Sequence, residues 1–534
     1  MPPRTRVSDE PASATTATGP TMVAAIDIGS SAIRMILAQG SNKDAPQTLE
    51  ILQQPVSLGK DTFTLGFLSQ VTIEECVRTL RNFRGVLDQY QLPPEHIHAV
   101  ATTAVREAGN RDIFLDRIYM TTGLQVDLLE EAEITRLTYL AARRLFTKQS
   151  SLNLAEALLV EVGGGSTELI QMTKQRVLHS QSCRLGSLRM RTMLESYDAP
   201  VARHRDIMES HIERSLEQVM QAISLSKDGR LVALGGDLRF AASQLDSDWG
   251  DKPATPLKVK ALAKFTDMIL EQSVDQLVAR YHITFPEAES LGTALLTHLY
   301  IARTLEQKEF LVARATMRDG LLIEALAPQA WTKQVEQQVI QSALDLGRKF
   351  HFDEGHGTHV AVLCKTLFHA LEAEHQLDPR FELILYVAAL LHEVGLFVGN
   401  TSHHKHSMYL IRNSELFGLG RKDVLLVALV ARYHRRASPR RSHEGYGELD
   451  RPDRIAVAKM AAILRLADAL DRSHHQHIRN LKCMVVDDKV VVQVPHVSDL
   501  TLEGLALKEK GSLFNEIYGK SVSLQRMEEH EHTP

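Results

Sequence analysis

The chain has 534 residues, 44% of them hydrophobic and 24% charged, with a formal net charge of −5. That is the composition of an ordinary soluble globular protein, long enough for roughly three or four domains. Four widely separated cysteines, Cys76, Cys183, Cys364 and Cys483, argue against a zinc ribbon or a disulfide framework and suit a reducing compartment.

Residues 1–20 are rich in Pro, Ser, Thr and Ala, too poor in apolar side chains to pack, and are expected to form a disordered arm. Asp9 and Glu10 make that arm a poor signal peptide, and no apolar run reaches the roughly 18 residues of a membrane span. A cytoplasmic protein without membrane contact is the expectation. Thr21–Ile28 reads as a strand, Ile33–Ala38 as a second just past a Gly-Ser turn, and Thr48–Val56 as a third. Apolar positions at helical spacing behind a Thr cap predict a helix over 72–90; Ile97–Thr103 returns to strand character and 111–122 to helix. Val126–Leu129 is a short strand, followed by a helix over Glu131–Phe146.

Beyond a polar stretch at 147–154 the pattern restarts with a strand over Ala157–Val162, a turn at Gly163–Gly165 and a strand over Thr167–Thr173. Two copies of strand, Gly-Ser turn, strand within alternating strands and helices predict a duplicated α/β architecture with a cleft between its halves. From about residue 330 the patterns are mostly helical, and 15 of the 24 histidines lie between His351 and His496. Val485–Val494 offers a late strand pair, and a domain boundary is expected near Ala327–Thr332.

The two turns carry the chemistry. Gly29, between Asp27 and the Ser30-Ser31 pair, lets backbone approach an anion closely, and N–H groups and hydroxyls can donate to phosphate oxygens. Asp27 ends the strand, where a carboxylate can hold a divalent cation. Asp-x-Gly-Ser also occurs in plain hairpins. Three consecutive glycines after Glu161-Val162, followed by Ser166-Thr167-Glu168, are far more specific, because an ordinary turn does not need that loss of backbone entropy.

The segments AAIDIGSSAIRMIL at 24–37, ATTAVREA at 101–108, EVGGGSTELI at 161–170 and RLGSLRMR at 184–191 resemble the exopolyphosphatase and guanosine pentaphosphate phosphohydrolase family. ALGGDLRFAA at 233–242 and MRDGLLIEAL at 317–326 match more loosely, and LLHEVGL, HHKHSMYLIRNSEL, ARYHRR and ILRLADALDRS extend the likeness to about residue 520. The resemblance implies a two-domain actin-like core of the ribonuclease H type over 21–147 and 148–328. It further implies an all-α HD-like domain over 329–480 and a small α+β segment over 481–520; 521–534 is expected to be a disordered tail.

It also implies Mg²⁺-assisted attack of water on the terminal phosphorus of inorganic polyphosphate or on the 5′ phosphate of guanosine pentaphosphate, in a homodimer. Carried onto this chain, Arg106 contacts phosphate, Asp27 and Glu161 serve the metal, and Gly29, Ser30, Ser31, Gly164, Gly165, Ser166 and Thr167 bind phosphate. The chain departs from the pattern in having Glu161 for the usual Asp, which moves the oxygens by roughly an ångström, and Ser31 for the usual Asn. The water-activating Glu is replaced by Ile134, which cannot accept a proton. Glu130, Glu131 and Glu133 are the nearby carboxylates that can substitute, although on a helix Glu133 points about 100° away from residue 134. Glu130 reaches the face of residue 134 only if the helix already begins there.

His359, His392-Glu393 and Asp468 fall in the order of an HD-type metal phosphohydrolase, although a satisfied helical core would use histidines too. Between His403 and His443 nine Lys and Arg face only Glu415 and Asp423, so Arg435, Arg436, Arg440 and Arg441 are candidates to guide a polyanion. No aromatic interleaving accompanies them, which speaks against nucleic acid. Three alternatives stay open: a non-catalytic polyphosphate or alarmone sensor, a nucleotide phosphohydrolase working from the helical domain, and a kinase using the Gly235-Gly236 turn.

Overall fold

The computed structural model describes residues 21–527 apart from 41–45, 147–153, 175, 197–202, 247–248, 251–253, 327, 496 and 498. The expected arm at 1–20, most of the polar stretch at 147–154 and the tail beyond 527 lie outside the described residues.

Strands β1 (Thr21–Ile28), β2 (Ala32–Gly40), β3 (Gln47–Pro55), β4 (Ile97–Ala101) and β5 (Val126–Leu128) form one sheet in the order β3-β2-β1-β4-β5. β1 is buried from Val23 to Ile28, the near-continuous apolar run of a central strand covered on both faces. It pairs antiparallel with β2, with Asp27 opposite Arg34, and parallel with β4. Strands β6 (Glu156–Val162), β7 (Thr167–Thr173), β8 (Arg176–Cys183), β9 (Arg230–Leu234), β10 (Ala254–Lys258) and β11 (Glu309–Ala313) form the second sheet, ordered β10-β11-β9-β6-β7-β8. Reading β8-β7-β6-β9-β11 reproduces the first sheet strand for strand, including the antiparallel hairpin and the parallel crossover. This is the predicted duplication of the actin-like fold.

The helices Glu131–Ala142 and Met317–Leu326 pack on each other beside the two sheets. A Cβ on Gly320 would fall 2.0 Å from the Leu137 carbonyl oxygen, so only glycine permits this approach. Helices then dominate from Pro328–Lys349 to Arg451–Leu470. A last sheet of β12 (Lys482–Val486), β13 (Lys489–Val494) and β14 (Ser521–Arg526) packs beside the helix Thr501–Lys510.

Three expectations are corrected. Residues 521–526 form an edge strand, parallel to β13, rather than a disordered tail. Its half-buried Val522 and Leu524 pack against the core that encloses Val490 and Val492. The strand predicted over Ile97–Thr103 stops at Ala101, and Thr103–Glu107 turns helical. The helix predicted to Phe146 is α-helical only to Ala142, then a 3₁₀ turn. A short helix, Leu58–Leu65, was not anticipated.

Candidate active site: a cleft between two phosphate loops

Each loop is held from behind. In the first, Gly29 N donates to Ala32 O at 3.1 Å, closing the turn, while the Ser30 carbonyl accepts from Gly59 N at 2.8 Å. In the second, Gly163 N donates to Ser166 O at 2.8 Å. The carbonyls of Gly163 and Gly164 accept from Ser187 N (2.9 Å) and Leu188 N (3.1 Å), and that of Gly165 from Arg189 Nε (3.0 Å). The carbonyl oxygens that would repel an anion are thus occupied. The loops also touch. A Cβ on Gly164 would lie 3.0 Å from the Ser30 Cβ, and one on Gly165 2.8 Å from the Thr103 Cγ2, so the glycine run is needed for loop-on-loop contact as well as for anion approach.

Between the loops lies a cleft of about 320 Å³, walled by Asp27, Gly29, Ser30 and Ser31 on one side and by Glu161, Gly164, Gly165 and Ser166 on the other. Three guanidinium groups enter it, from Arg34 on β2, Arg239 on the helix Gly236–Leu245 and Arg318 on the helix Met317–Leu326. Arg318 Nη1 donates to Asp27 Oδ2 at 2.9 Å. Arg239 Nη1 and Arg318 Nε are buried without a hydrogen-bond partner. Burial, with Arg318 adding repulsion, holds the Arg34 and Arg239 guanidinium groups below their ordinary value. Donors left in this condition favour an anion.

The carboxylates are perturbed in the opposite sense. Burial raises Glu161 against the pull of Arg239 and of the Thr138 hydroxyl, which donates at 3.2 Å. Glu168, on β7, is pushed up to about 7, by burial first and by the neighbouring Glu161. Hydroxyls of Ser182 (2.7 Å), Ser166 (3.0 Å) and Thr135 (3.2 Å) donate to it and hold it in place. Asp237 is raised to about 6 by burial.

Asp27 and Glu161 both face the cleft, and no third protein ligand joins them among the described residues. Mg²⁺ is commonly held by one or two carboxylates, with substrate phosphate and water completing its shell, so this pair fits an ion that arrives with a phosphate chain.

Other expected residues lie elsewhere. Thr167 is fully buried and donates its hydroxyl to the Leu185 carbonyl, so it serves the core and not the phosphate wall. Arg106 donates to Leu129 O at 2.5 Å and to Glu131 Oε1 at 3.2 Å, which clamps the start of the Glu131–Ala142 helix instead of reaching the cleft. Glu130 is the N-cap of that helix, outside its first turn, and exchanges capping-box bonds with Glu133, whose Oε2 accepts from Glu130 N at 2.8 Å. Neither carboxylate lines the cleft; Glu130 faces Arg421 of the helical domain at 3.7 Å. Ile134 does line it, and so does Glu168, whose Oε2 accepts from the hydroxyl of Thr135, the next residue along that helix, at 3.2 Å.

Arg435, Arg436, Arg440 and Arg441 are exposed on the helical domain, away from the cleft wall, and Arg436 Nε donates to Glu509 at 2.8 Å. Arg34, Arg239 and Arg318 were missed, although each lies inside a segment that carries the resemblance. The available signal was an arginine inside an apolar strand, as in Ile33-Arg34-Met35.

The fold is that of an actin-like core with a helical C-terminal domain, its cleft lying between two glycine-rich loops. A profile of the Ppx/GppA phosphatase family matches residues 36–328, and a profile of that family's domain III matches residues 340–510. The chain belongs to the Ppx/GppA phosphatase family. It is similar to a guanosine-5′-triphosphate,3′-diphosphate pyrophosphatase of Photobacterium profundum, 23% identical over 484 residues, 89% of this chain and 92% of that protein. Among solved structures, an exopolyphosphatase from Cytophaga hutchinsonii aligns with TM-score 0.53 at 20% identity, over 58% of this chain and 98% of its own. An exopolyphosphatase-like protein aligns with TM-score 0.51 at 19% identity, over 58% and 99%. These likenesses show the shared fold of the core. Among the described residues no helix is long and apolar enough to cross a membrane.

Proposed function

We propose that this phosphohydrolase removes the terminal phosphate of inorganic polyphosphate, or the 5′ phosphate of guanosine pentaphosphate, in the cleft between its two glycine-rich loops. The observation that carries the reading is the convergence of three guanidinium groups, Arg34, Arg239 and Arg318, on a cleft walled by the two glycine-rich loops, with Arg239 Nη1 and Arg318 Nε buried and without a hydrogen-bond partner. With Arg34 they neutralise charge on a phosphoryl group as it transfers. Asp27 and Glu161 would hold Mg²⁺, which when bound supplies further neutralisation of the phosphate oxygens.

Glu168 is the base in this reading. Its carboxyl sits at about 7, near working pH, where it can take a proton from attacking water. The Ser166, Ser182 and Thr135 hydroxyls fix its oxygens in the cleft wall. The test is phosphate release from long-chain polyphosphate and from guanosine pentaphosphate by pure protein with Mg²⁺. Glu168→Gln should slow release by ~10²–10⁴ while binding persists, and Arg239→Ala should weaken binding itself.

A second reading has one specific support. Ile134, 8% exposed in the cleft wall, puts a hydrocarbon where water would be activated. Tight polyphosphate binding without phosphate release by the unaltered protein would select a binding or sensing role.

A further inference from the structure

The helical domain gathers ionisable side chains that the cleft does not use. His356 comes from the helix Glu354–Ala370, His392 and Glu393 from the end of Arg380–Leu391, and His403 from the start of His403–Arg412. His434 follows Arg421–Arg432, and Asp468 lies near the end of Arg451–Leu470. His356 and His392 present Nε2 to the same oxygen, Asp468 Oδ1, at 3.8 and 3.9 Å, and Glu393 Oε2 is 4.0 Å from His356 Nε2. His403 Nε2 and His434 Nε2 are 3.2 Å apart. Donors that share one ion at ~2.1 Å sit roughly 3–4 Å from each other, so these spacings are those of ligands around a cation.

Tautomers strengthen the case. His392 Nδ1 lies 2.7 Å from Ala389 O, His434 Nδ1 2.7 Å from Ala431 O and His403 Nδ1 3.2 Å from Asn400 O. A carbonyl oxygen only accepts, so each Nδ1 carries the proton and each Nε2 offers a lone pair. His356 Nδ1 meets the Asp471 carboxylate at 2.8 Å, the outer-shell partner typical of a metal-binding imidazole. With both Nε2 atoms unprotonated, their lone pairs face each other at 3.2 Å, and a metal ion held by both relieves that repulsion. The Nε2 atoms of His356 and His392 and Oε2 of Glu393 are buried with no hydrogen-bond partner. Lys510 takes Asp468 Oδ2, which turns Oδ1 toward the imidazoles.

The geometry points to a two-ion metal centre in the helical domain, with His356, His392 and Asp468 on one ion, His403 and His434 on the other, and Glu393 shared between them. His359, expected from the sequence, is not among these ligand atoms. It lies three residues beyond His356 on the same helix and is rotated away by about 60°. An imidazole-rich set with carboxylates favours first-row transition ions such as Mn²⁺ or Zn²⁺ over Mg²⁺. Glu393 and His474 keep 18% and 36% side-chain exposure, so one side of the centre opens to solvent. A ligand with phosphoryl oxygens suits a centre open on one side. This centre does not depend on the reading of the cleft.

The test uses the full-length protein, stripped with chelator, reloaded separately with Mn²⁺ and Zn²⁺, freed of excess ion and analysed for metal content and thermal stability. Two ions per chain are expected, with a raised Tm. His403→Gln and His392→Gln should each lose one ion and part of the Tm gain, while Arg106→Ala loses neither. Glu393→Gln, whose side chain is partly exposed, is read in place of His392→Gln if that variant does not fold. Absence of bound metal, a single ion, or metal content unchanged by these substitutions would overturn the proposal.

Discussion

Glu168 and Ile134 both line the cleft, one a carboxyl held at about 7, the other a hydrocarbon. If Glu168 is the base, phosphate release should rise with pH and level off above about 7, and Glu168→Gln should flatten the profile. The same group predicts a stability trend of opposite sense. Its folded value lies above the ordinary 4.5, so the folded protein holds the proton more tightly than the unfolded chain. That stabilisation is complete below about 4.5 and is lost as pH rises through about 7, which chemical denaturation of the protein and of Glu168→Gln across this range would register. Ile134→Glu restores a carboxylate at the cleft and should raise hydrolysis; it should also cost about 1–3 kcal/mol by burying a polar group. Unchanged hydrolysis with intact fold would remove Ile134 from the account. The loop residues were legible because Asp-x-Gly-Ser and Gly-Gly-Gly-Ser-Thr are contiguous. The contacts of Arg106 were not legible, because its partners Leu129 O and Glu131 lie more than twenty residues away and only folding brings them to it.

The helix Glu131–Ala142 joins the phosphate core to the helical domain, and its N-terminus sets where Ile134 and Thr135 point. Glu130 and Glu133 cap it reciprocally, so Glu133→Ala should destabilise by ~1 kcal/mol. It should change phosphate release far less than Glu168→Gln does. A large catalytic loss with unaltered Tm would return Glu133 to the reaction. The helix itself was legible from its apolar spacing. Its cap was not, because capping sequences are recognised by Ser, Thr, Asp or Asn at the first position and this one has Glu130. The two carboxylates therefore read as free to do chemistry. The pairing of β14 was hidden for a related reason: a short edge strand is specified by its partner more than by its own six residues.

Across the whole molecule, one hydrophobic core runs from Val23 and Ile36 through Leu137 and Tyr139 into Leu416 and Leu464, with no break between the phosphate core and the helical domain. Tyr139 meets Phe417 edge to face at 5.5 Å between ring centroids, and Gln181 Nε2 donates to Glu415 at 2.8 Å across the same junction. Removing the helical domain after Leu326 should expose this surface, lowering Tm and promoting aggregation. Thermal unfolding that leaves the truncated core as stable as the full chain would show the two parts to be independent. The duplication was legible because both hairpins repeat the same local pattern. The shared core was not, since the periodicity of a helix gives its apolar face but not the neighbour that covers it.

The most direct test of the account is the rate of phosphate release from polyphosphate, with Mg²⁺, by the unaltered protein and by Glu168→Gln. The account predicts release that falls by ~10²–10⁴ in the variant while polyphosphate binding is kept. Release that proceeds equally in both proteins would contradict it.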